Sequence, residues 1–168
     1  MWLARGCGFG RGSFVDVGRK SLPHLGPVGS GARIVFVTQA VAGRRGLLAR
    51  AEVVETILEA WKGNDHWLIG RYVIMPDHLH FFCAPRVVET SLKKWMQVWR
   101  ACATRNWPRA EEKPIWQKDF FDRDLRSGES YGEKWRYVLE NPIRAGLVER
   151  AEEWSWQGEL NVLRWAGE

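Results

Sequence analysis

The sequence predicts an α+β fold, a split βαβ (ferredoxin-like, RRM-like) antiparallel sheet with helices packed on one face and a C-terminal helix. Three observations predict it. Short runs rich in β-branched and aromatic residues alternate with amphipathic stretches of helical period. Two of the β-prone runs are neighbours, separated only by a turn dipeptide, which predicts a hairpin. The resulting order, β-α-β-β-α-β-α, is that of a sheet with two crossover helices.

The first half of the domain supplies a strand, a helix and the hairpin. Residues 33–38 are rich in β-branched side chains and predict a buried strand. Apolar residues at helical spacing predict a helix over 48–61, which Gly63 ends. The runs 67–75 and 79–84 flank Pro76-Asp77, which cannot continue a central strand and suits a tight turn.

The second half is predicted to be mainly helical. A helix over 91–107 has one apolar face, and its basic residues lie elsewhere on the cylinder. The mixed aromatic stretch 115–125 predicts a fourth strand that leads into a loop at 126–128. A third helix is predicted over 129–140, and Asn141-Pro142 predicts the start of a short helix that Gly146 ends.

Length and composition bound the organisation of the chain. The 168 residues suffice for one domain with its own core. Residues 1–31 hold eight glycines and almost no periodic apolar pattern, so we expect a flexible, basic, Gly-rich N-terminal arm there. The folded domain is expected over 32–156 and a C-terminal tail over 157–168. No apolar run is long enough to span a membrane, and we expect an intracellular protein.

The charge of the chain favours an anionic partner. The net charge is +5 and the isoelectric point is about 9.4. Residues 1–50 contain eight basic residues and one acidic residue, and residues 86–109 contain six basic residues and one acidic residue. Nucleic acid is the usual partner of such segments. By charge alone, a solvated helix face explains the second segment equally well.

His78 and His80 are the candidate metal ligands. Side chains alternate across a strand, so these two imidazoles project to the same face and converge. Imidazole nitrogen binds Mn²⁺, Zn²⁺ and similar ions, and two histidines leave positions open for a phosphate oxygen. The spacing alone also fits a pair of half-exposed strand histidines without a ligand. Half of the four histidines of the chain are here.

Tyr137 is the candidate nucleophile among three tyrosines. Tyr72 lies in an apolar strand, and Tyr131 shares the apolar stripe of the third predicted helix. Tyr137 is off that stripe and shares its face with Lys134 and Asn141. A phenol beside an ammonium and a carboxamide is a better nucleophile than a buried one, although an ordinary exposed tyrosine fits equally. Asn141 precedes a proline, a position at which asparagine commonly serves as a helix N-cap.

Two segments of this sequence together resemble the paired signatures of the single-tyrosine HUH transposases, in particular the REP-associated tyrosine transposases. They are Tyr72-Val-Ile-Met-Pro-Asp-His-Leu-His-Phe-Phe and Tyr137-Val-Leu-Glu-Asn-Pro-Ile-Arg-Ala-Gly-Leu-Val. Ile115-Trp-Gln-Lys-Asp-Phe-Phe-Asp-Arg and Lys20-Ser-Leu-Pro-His agree with the same family. The resemblance covers roughly residues 19–156.

The resemblance implies a site and a reaction. His78 and His80 would hold a Mg²⁺ or Mn²⁺ ion that polarises a scissile phosphate, with Asn141 as a third polar ligand. Tyr137, on the C-terminal helix, would attack phosphorus and form a 5′-phosphotyrosine bond. The substrate would be single-stranded DNA associated with a hairpin, cut and joined by a cytoplasmic, nucleoid-associated protein that is a monomer or a homodimer. Phosphate contacts would come from Lys93, Lys94, Arg100, Arg105, Lys134 and Arg33.

Three other functions remain compatible with the sequence. A domesticated protein would bind hairpin DNA without cutting it. An RNA-binding module would stack bases on an aromatic-rich sheet of the same fold class, although it would leave the two histidines unexplained. A metal-dependent hydrolase that uses water would make Tyr137 dispensable.

Overall fold

The computed structural model describes residues 33–125 and 131–163. The expected N-terminal arm at 1–31, the expected loop at 126–128 and the last residues of the expected tail, 164–168, lie outside the described residues. The strands are β1 Val35–Ala40, β2 Trp67–Ile74, β3 His78–Pro85, β4 Phe121–Asp124 and β5 Gln157–Glu159. The helices are α1 Ala51–Lys62, α2 Leu92–Arg105, α3 Tyr131–Leu139 and α4 Asn141–Arg144.

The five strands form one antiparallel sheet in the order β4-β1-β3-β2-β5. Strand β3 lies between β1 and β2 and is antiparallel to both. Therefore β1 and β2 run in the same direction, joined through α1, with another strand between them. This arrangement is a split βαβ unit and confirms the predicted fold class.

The helices divide between the two faces of the sheet. Helices α1 and α2 cover the face that carries Val37 and Phe81, and their tryptophans Trp61, Trp95 and Trp99 fill that core. Helix α3 covers the opposite face, where the Tyr131 ring lies 4.8 Å from the ring of Phe82. The amphipathic pattern of α3 predicted a buried stripe but did not indicate which face of the sheet it covers.

The sheet extends beyond residue 156, into the segment that we expected to be a tail. Strand β5 pairs with β2. Leu163, which follows it, is 5% exposed and packs against Gly70 of β2. A Cβ atom at position 70 would lie 2.7 Å from Leu163 Cδ1, so any other residue there would displace the Leu163 side chain. A three-residue strand has too few alternating residues to be recognised in a sequence.

The turn between β2 and β3 positions His78 at the start of its strand. Met75 N donates to the His78 carbonyl oxygen at 2.8 Å and closes the predicted hairpin. Backbone bonds of 2.9 Å from Val41 N to Asp77 O and 2.8 Å from Leu48 N to Pro76 O attach the segment after β1 to this turn. The turn is therefore held from outside the hairpin.

Within the described residues, no helix has the length and apolar character that a membrane crossing requires.

Candidate functional site

The imidazoles of His78 and His80 converge on the sheet face that α3 covers. Their Nε2 atoms are 3.1 Å apart, and their ring centroids are 4.7 Å apart with an interplanar angle of 83°. Phe36, on the same face of β1, stacks on His80 at a centroid distance of 5.6 Å. Alternation along β3 brings the two rings to one point, as the sequence predicts.

The other nitrogen of each imidazole is engaged by a neighbouring side chain. His78 Nδ1 lies 2.6 Å from Asp77 Oδ1, and His80 Nδ1 lies 2.8 Å from Thr38 Oγ1. Thr38 is the cross-strand partner of His80 in the β1–β3 register. Asp77 is in turn paired with Arg44, whose Nε lies 3.2 Å from Asp77 Oδ2. The Nδ1 contacts hold both rings in place and leave the two Nε2 atoms facing each other.

The electrostatic environment keeps His80 neutral. Burial lowers the pKa of His80 to about 3, and the nearby His78, Lys134, Arg44 and Arg144 contribute in the same direction. A neutral imidazole is the form that binds a metal ion. The three cationic side chains around it also favour an anionic ligand such as a phosphate.

Tyr137 lies on α3 and is 58% exposed. The Arg144 guanidinium lies over its ring with Cζ 4.2 Å from the centroid, and Lys134 Nζ lies 5.4 Å from the same centroid. Lys134 Nζ is also 5.0 Å from the ring of Phe36, which stacks on His80. A short chain of contacts therefore connects the tyrosine to the histidine pair on one face of the sheet.

Asn141 is the first residue of α4, and Glu140 occupies the N-cap position. Asn141 Oδ1 accepts a hydrogen bond of 2.9 Å from Arg144 Nη2. Its Nδ2 is buried without a hydrogen-bond partner. The side chain therefore does not cap the helix, which was the alternative role compatible with the sequence. Reversing the amide would set its NH₂ group against the guanidinium, two donors facing each other, so Arg144 fixes the amide orientation.

The donor set fits a divalent metal ion. Metal–imidazole bonds are about 2.1 Å long, and two such bonds at a right angle place the nitrogens about 3.0 Å apart, close to the separation in this site. No cluster of three or more His, Cys, Asp or Glu side chains suited to a metal occurs in the described ranges 33–125 and 131–163. Among the described residues, a third protein ligand would be of another type, such as the amide oxygen of Asn141.

The chain is similar to known proteins in sequence and in fold. No protein-family model matches the chain. A curated Escherichia coli (strain K12) protein, REP-associated tyrosine transposase, is 23% identical over 112 residues, which are 60% of this chain and 63% of that protein. A solved structure of the REP-associated tyrosine transposase bound to a REP hairpin superposes with a TM-score of 0.62 at 19% identity, over 84% of this chain and 82% of the other. The resemblance seen in the sequence is confirmed.

The structural similarity and the sequence similarity support different statements. The structural one shows that this chain and the REP-associated tyrosine transposase share a fold. In sequence, the match spans less than two thirds of the curated transposase.

Of the six basic residues proposed to contact DNA, only Lys134 lies at the histidine–tyrosine site. Arg33 precedes β1 and pairs with Asp124, with Nη2 2.8 Å from Oδ2, whereas His78 pairs with Ala40 at the other end of β1. Three more, Lys93, Lys94 and Arg105, are exposed on α2, on the opposite side of the sheet.

Arg100 makes internal contacts that the sequence did not predict. Its Nη1 lies 3.0 Å from Gln39 Oε1, 3.0 Å from the Gln117 carbonyl oxygen and 3.1 Å from the Lys118 carbonyl oxygen, and its Nε donates to Met96 O at 3.0 Å. Gln39 is a fully buried polar residue of β1. Arg100 therefore anchors α2 to β1 and to the segment before β4.

Four residues of the site were not singled out from the sequence. Asp77 and Arg144 are inside the two segments that resemble the REP-associated tyrosine transposases, so their place in the motif was an available signal. Thr38 becomes a neighbour of His80 only through strand pairing. Arg44 carries no sequence signal at all. It follows Gly43 in a 3-10 turn and has a left-handed backbone with φ of 55°.

Proposed function

We propose that this chain is a metal-dependent single-stranded DNA endonuclease and strand transferase, transposase-like, that acts at hairpin-associated sites through a 5′-phosphotyrosine intermediate on Tyr137. One observation carries the proposal. The convergent Nε2 atoms of His78 and His80 lie on the sheet face covered by α3, and α3 presents an exposed tyrosine next to two cations. The transposase relative, and the REP hairpin in the related solved structure, support DNA as the substrate.

The metal would be Mg²⁺ or Mn²⁺, held by His78 and His80 with Asn141 as a third ligand. When bound, it would supply a Lewis acid that polarises a non-bridging oxygen of the scissile phosphate. Asn141 Oδ1 would first have to exchange its hydrogen bond from Arg144 for the ion.

Tyr137 carries the covalent step. Its phenolic oxygen forms a bond to phosphorus while the bond from phosphorus to the 3′ oxygen breaks. The phenolic proton leaves to solvent and the departing 3′ oxygen takes up a proton, giving a 5′-phosphotyrosine and a free 3′ hydroxyl. Attack by a 3′ hydroxyl on the phosphotyrosine reverses the step and joins strands without an external energy source.

Arg144 and Lys134 would assist by charge. Both cations contact the Tyr137 ring, so they lie where the phosphate must approach. Fixed positive charge beside a pentacoordinate phosphorus stabilises the negative charge that builds up in the transition state. The substrate would place the protein with chromosomal DNA in the cytoplasm.

The test is formation of a covalent adduct with labelled single-stranded hairpin DNA in Mn²⁺, followed on a denaturing gel. We expect an adduct with the unmodified protein and none with Tyr137→Phe. Tyr72→Phe is the matched control, because it removes a buried phenol of β2 and should leave the adduct intact. EDTA is expected to abolish cleavage while much of the DNA binding persists.

Other outcomes point to the other functions. An adduct that persists in Tyr137→Phe contradicts the assignment of the nucleophile. Cleavage without any adduct, retained in Tyr137→Phe, indicates a hydrolase that uses water. Metal-independent hairpin binding with no cleavage indicates a DNA-binding protein, and a preference for single-stranded RNA indicates an RNA-binding module.

A further inference from the structure

We infer that Asp77 and Thr38 are positioning residues that set the tautomers of the two histidines through one directed hydrogen-bond chain. Asp77 holds His78 permanently in the tautomer whose Nε2 is bare, that is, carries no proton. The Thr38 hydroxyl lets His80 exchange tautomers when its own Nε2 becomes a metal ligand. The first part concerns the metal-free protein, and the second rests on the proposed function.

The chain begins at Asp77. An ionised carboxylate only accepts hydrogen bonds, so the proton in its 2.6 Å contact with His78 Nδ1 belongs to the imidazole. In a neutral imidazole with Nδ1 protonated, Nε2 is bare. The opposite tautomer would set two acceptors against each other at 2.6 Å. The Arg44 guanidinium at Oδ2 and the backbone bond to the Asp77 carbonyl oxygen hold the carboxylate in this place.

The next two contacts follow from the first. His78 Nε2 and His80 Nε2 are 3.1 Å apart, so one of them must donate. Since His78 Nε2 is bare, the donor is His80 Nε2–H. The neutral His80 then has a bare Nδ1, which accepts the hydroxyl proton of Thr38 at 2.8 Å. For two neutral imidazoles, every polar atom of the chain is satisfied in only this direction.

Metal ligation requires both Nε2 atoms to be bare, and only His78 is ready. His80 must release its Nε2 proton to solvent and take one up at Nδ1, so its net proton content does not change. The new Nδ1–H then needs an acceptor. A hydroxyl donates in one state and accepts in the other by rotating about its Cβ–Oγ1 bond, which carboxylates and ammonium groups cannot do.

Nuclear magnetic resonance of the imidazole nitrogens tests both parts. In the metal-free protein we expect His78 protonated at Nδ1 and His80 protonated at Nε2. Zn²⁺ is a diamagnetic probe that imidazole binds well. It should move the His80 proton to Nδ1 and leave the His78 proton at Nδ1. Asp77→Asn should remove the fixed tautomer of His78.

Calorimetric titration with Zn²⁺ measures the cost of losing the hydroxyl. Thr38→Val keeps the shape of the side chain and should weaken Zn²⁺ binding by about 10–100-fold, the usual effect of losing a partner of a metal-bound histidine. Thr38→Ser keeps the hydroxyl and should restore binding. The matched control is Thr90→Val, because Thr90 Oγ1 lies 3.0 Å from His66 Nδ1 in a second threonine–histidine pair away from the site. It should leave Zn²⁺ affinity unchanged.

The results separate this inference from the proposed function. A metal-free His78 protonated at Nε2 overturns the direction of the chain. Unchanged Zn²⁺ affinity in Thr38→Val overturns the role of Thr38. If Zn²⁺ shifts neither histidine in the unmodified protein, the metal site and with it the tautomer exchange are wrong, while the metal-free spectra still decide the role of Asp77.

Discussion

The guanidinium of Arg144 covers the ring of Tyr137 and is bonded to the backbone of the same residue. Its Cζ lies 4.2 Å from the ring centroid, and its Nη2 donates to the Tyr137 carbonyl oxygen at 2.6 Å. Further bonds of 2.9 Å to Asn141 Oδ1 and 3.0 Å to Glu140 Oε2 connect it to the junction of α3 and α4. One side chain thus holds the proposed nucleophile and a proposed metal ligand together.

Arg144→Gln should slow adduct formation on hairpin DNA by about 100-fold, because it removes a cation beside the attacked phosphate. The Arg144 side chain is 40% exposed, so we expect the free energy of unfolding to change by less than about 1 kcal/mol. Arg150→Gln is the control. Arg150 is 74% exposed and pairs with Glu153, three residues away, as Arg144 pairs with Glu140, four residues away. Equal rates for the two variants would contradict a role of Arg144 in catalysis.

Arg100→Ala should destabilise the fold. The change leaves Gln39 Oε1 without the Arg100 donor inside the protein and releases the carbonyl oxygens of residues 117 and 118, at a cost of about 2 kcal/mol in the free energy of unfolding. Arg105→Ala, on the exposed side of the same helix, should change it by less than about 0.5 kcal/mol. Denaturation by urea measures both.

Lys134→Gln and Arg100→Gln should differ in the salt dependence of hairpin binding. Each change removes one positive charge, and loss of one phosphate contact reduces the slope of log affinity against log salt by about 1. We expect this reduction for Lys134→Gln, because Lys134 lies beside Tyr137, and an unchanged slope for Arg100→Gln, because Arg100 is engaged inside the protein. A reduced slope for Arg100→Gln would instead support the phosphate contact that its sequence position suggested.

Glu112 should make stability depend on acid pH. Two bonds from Arg50, of 2.8 and 2.7 Å, and one from Trp107 Nε1 lower the pKa of Glu112 to about 2, from an ordinary value of 4.5. Between these two values the unfolded chain binds more protons than the folded one, so unfolding free energy falls as the pH drops from about 5 towards 2. Glu112→Gln should be less stable near neutral pH and should lose this part of the pH dependence. Denaturation at pH 2.5 to 6 provides the comparison, and parallel curves for the two proteins would refute it.

Arg44→Asn should separate stability from function. Arg44 has a left-handed backbone, which asparagine adopts more readily than arginine. Loss of a half-exposed ion pair costs little, so we expect the free energy of unfolding to stay within about 1 kcal/mol of its original value. Zn²⁺ affinity should nevertheless fall, because Asp77 loses the partner that holds it against His78. A large fall in the melting temperature with unchanged Zn²⁺ affinity would show that Arg44 is purely structural.

Local patterns predicted most of the fold and the core of the candidate site. Periodicity located the long helices and the strands β1 to β4 but not β5, and alternation along β3 predicted that His78 and His80 share a face. The position of Tyr137 off the apolar stripe predicted its exposure. Each of these depends on residues close together in the chain, whose relative direction the backbone period determines by itself.

By itself the sequence determined the split βαβ order, the convergent histidines and the exposed tyrosine, because these follow from local periods and from two recognisable segments. Only the tertiary structure decided that α3 covers the face that carries the histidines, while the basic side of α2 lies on the other side of the sheet. It also brought Thr38 and Arg44 to the histidines and turned Arg100 towards Gln39. These contacts join residues distant in the chain, and strand pairing and core packing decide them together.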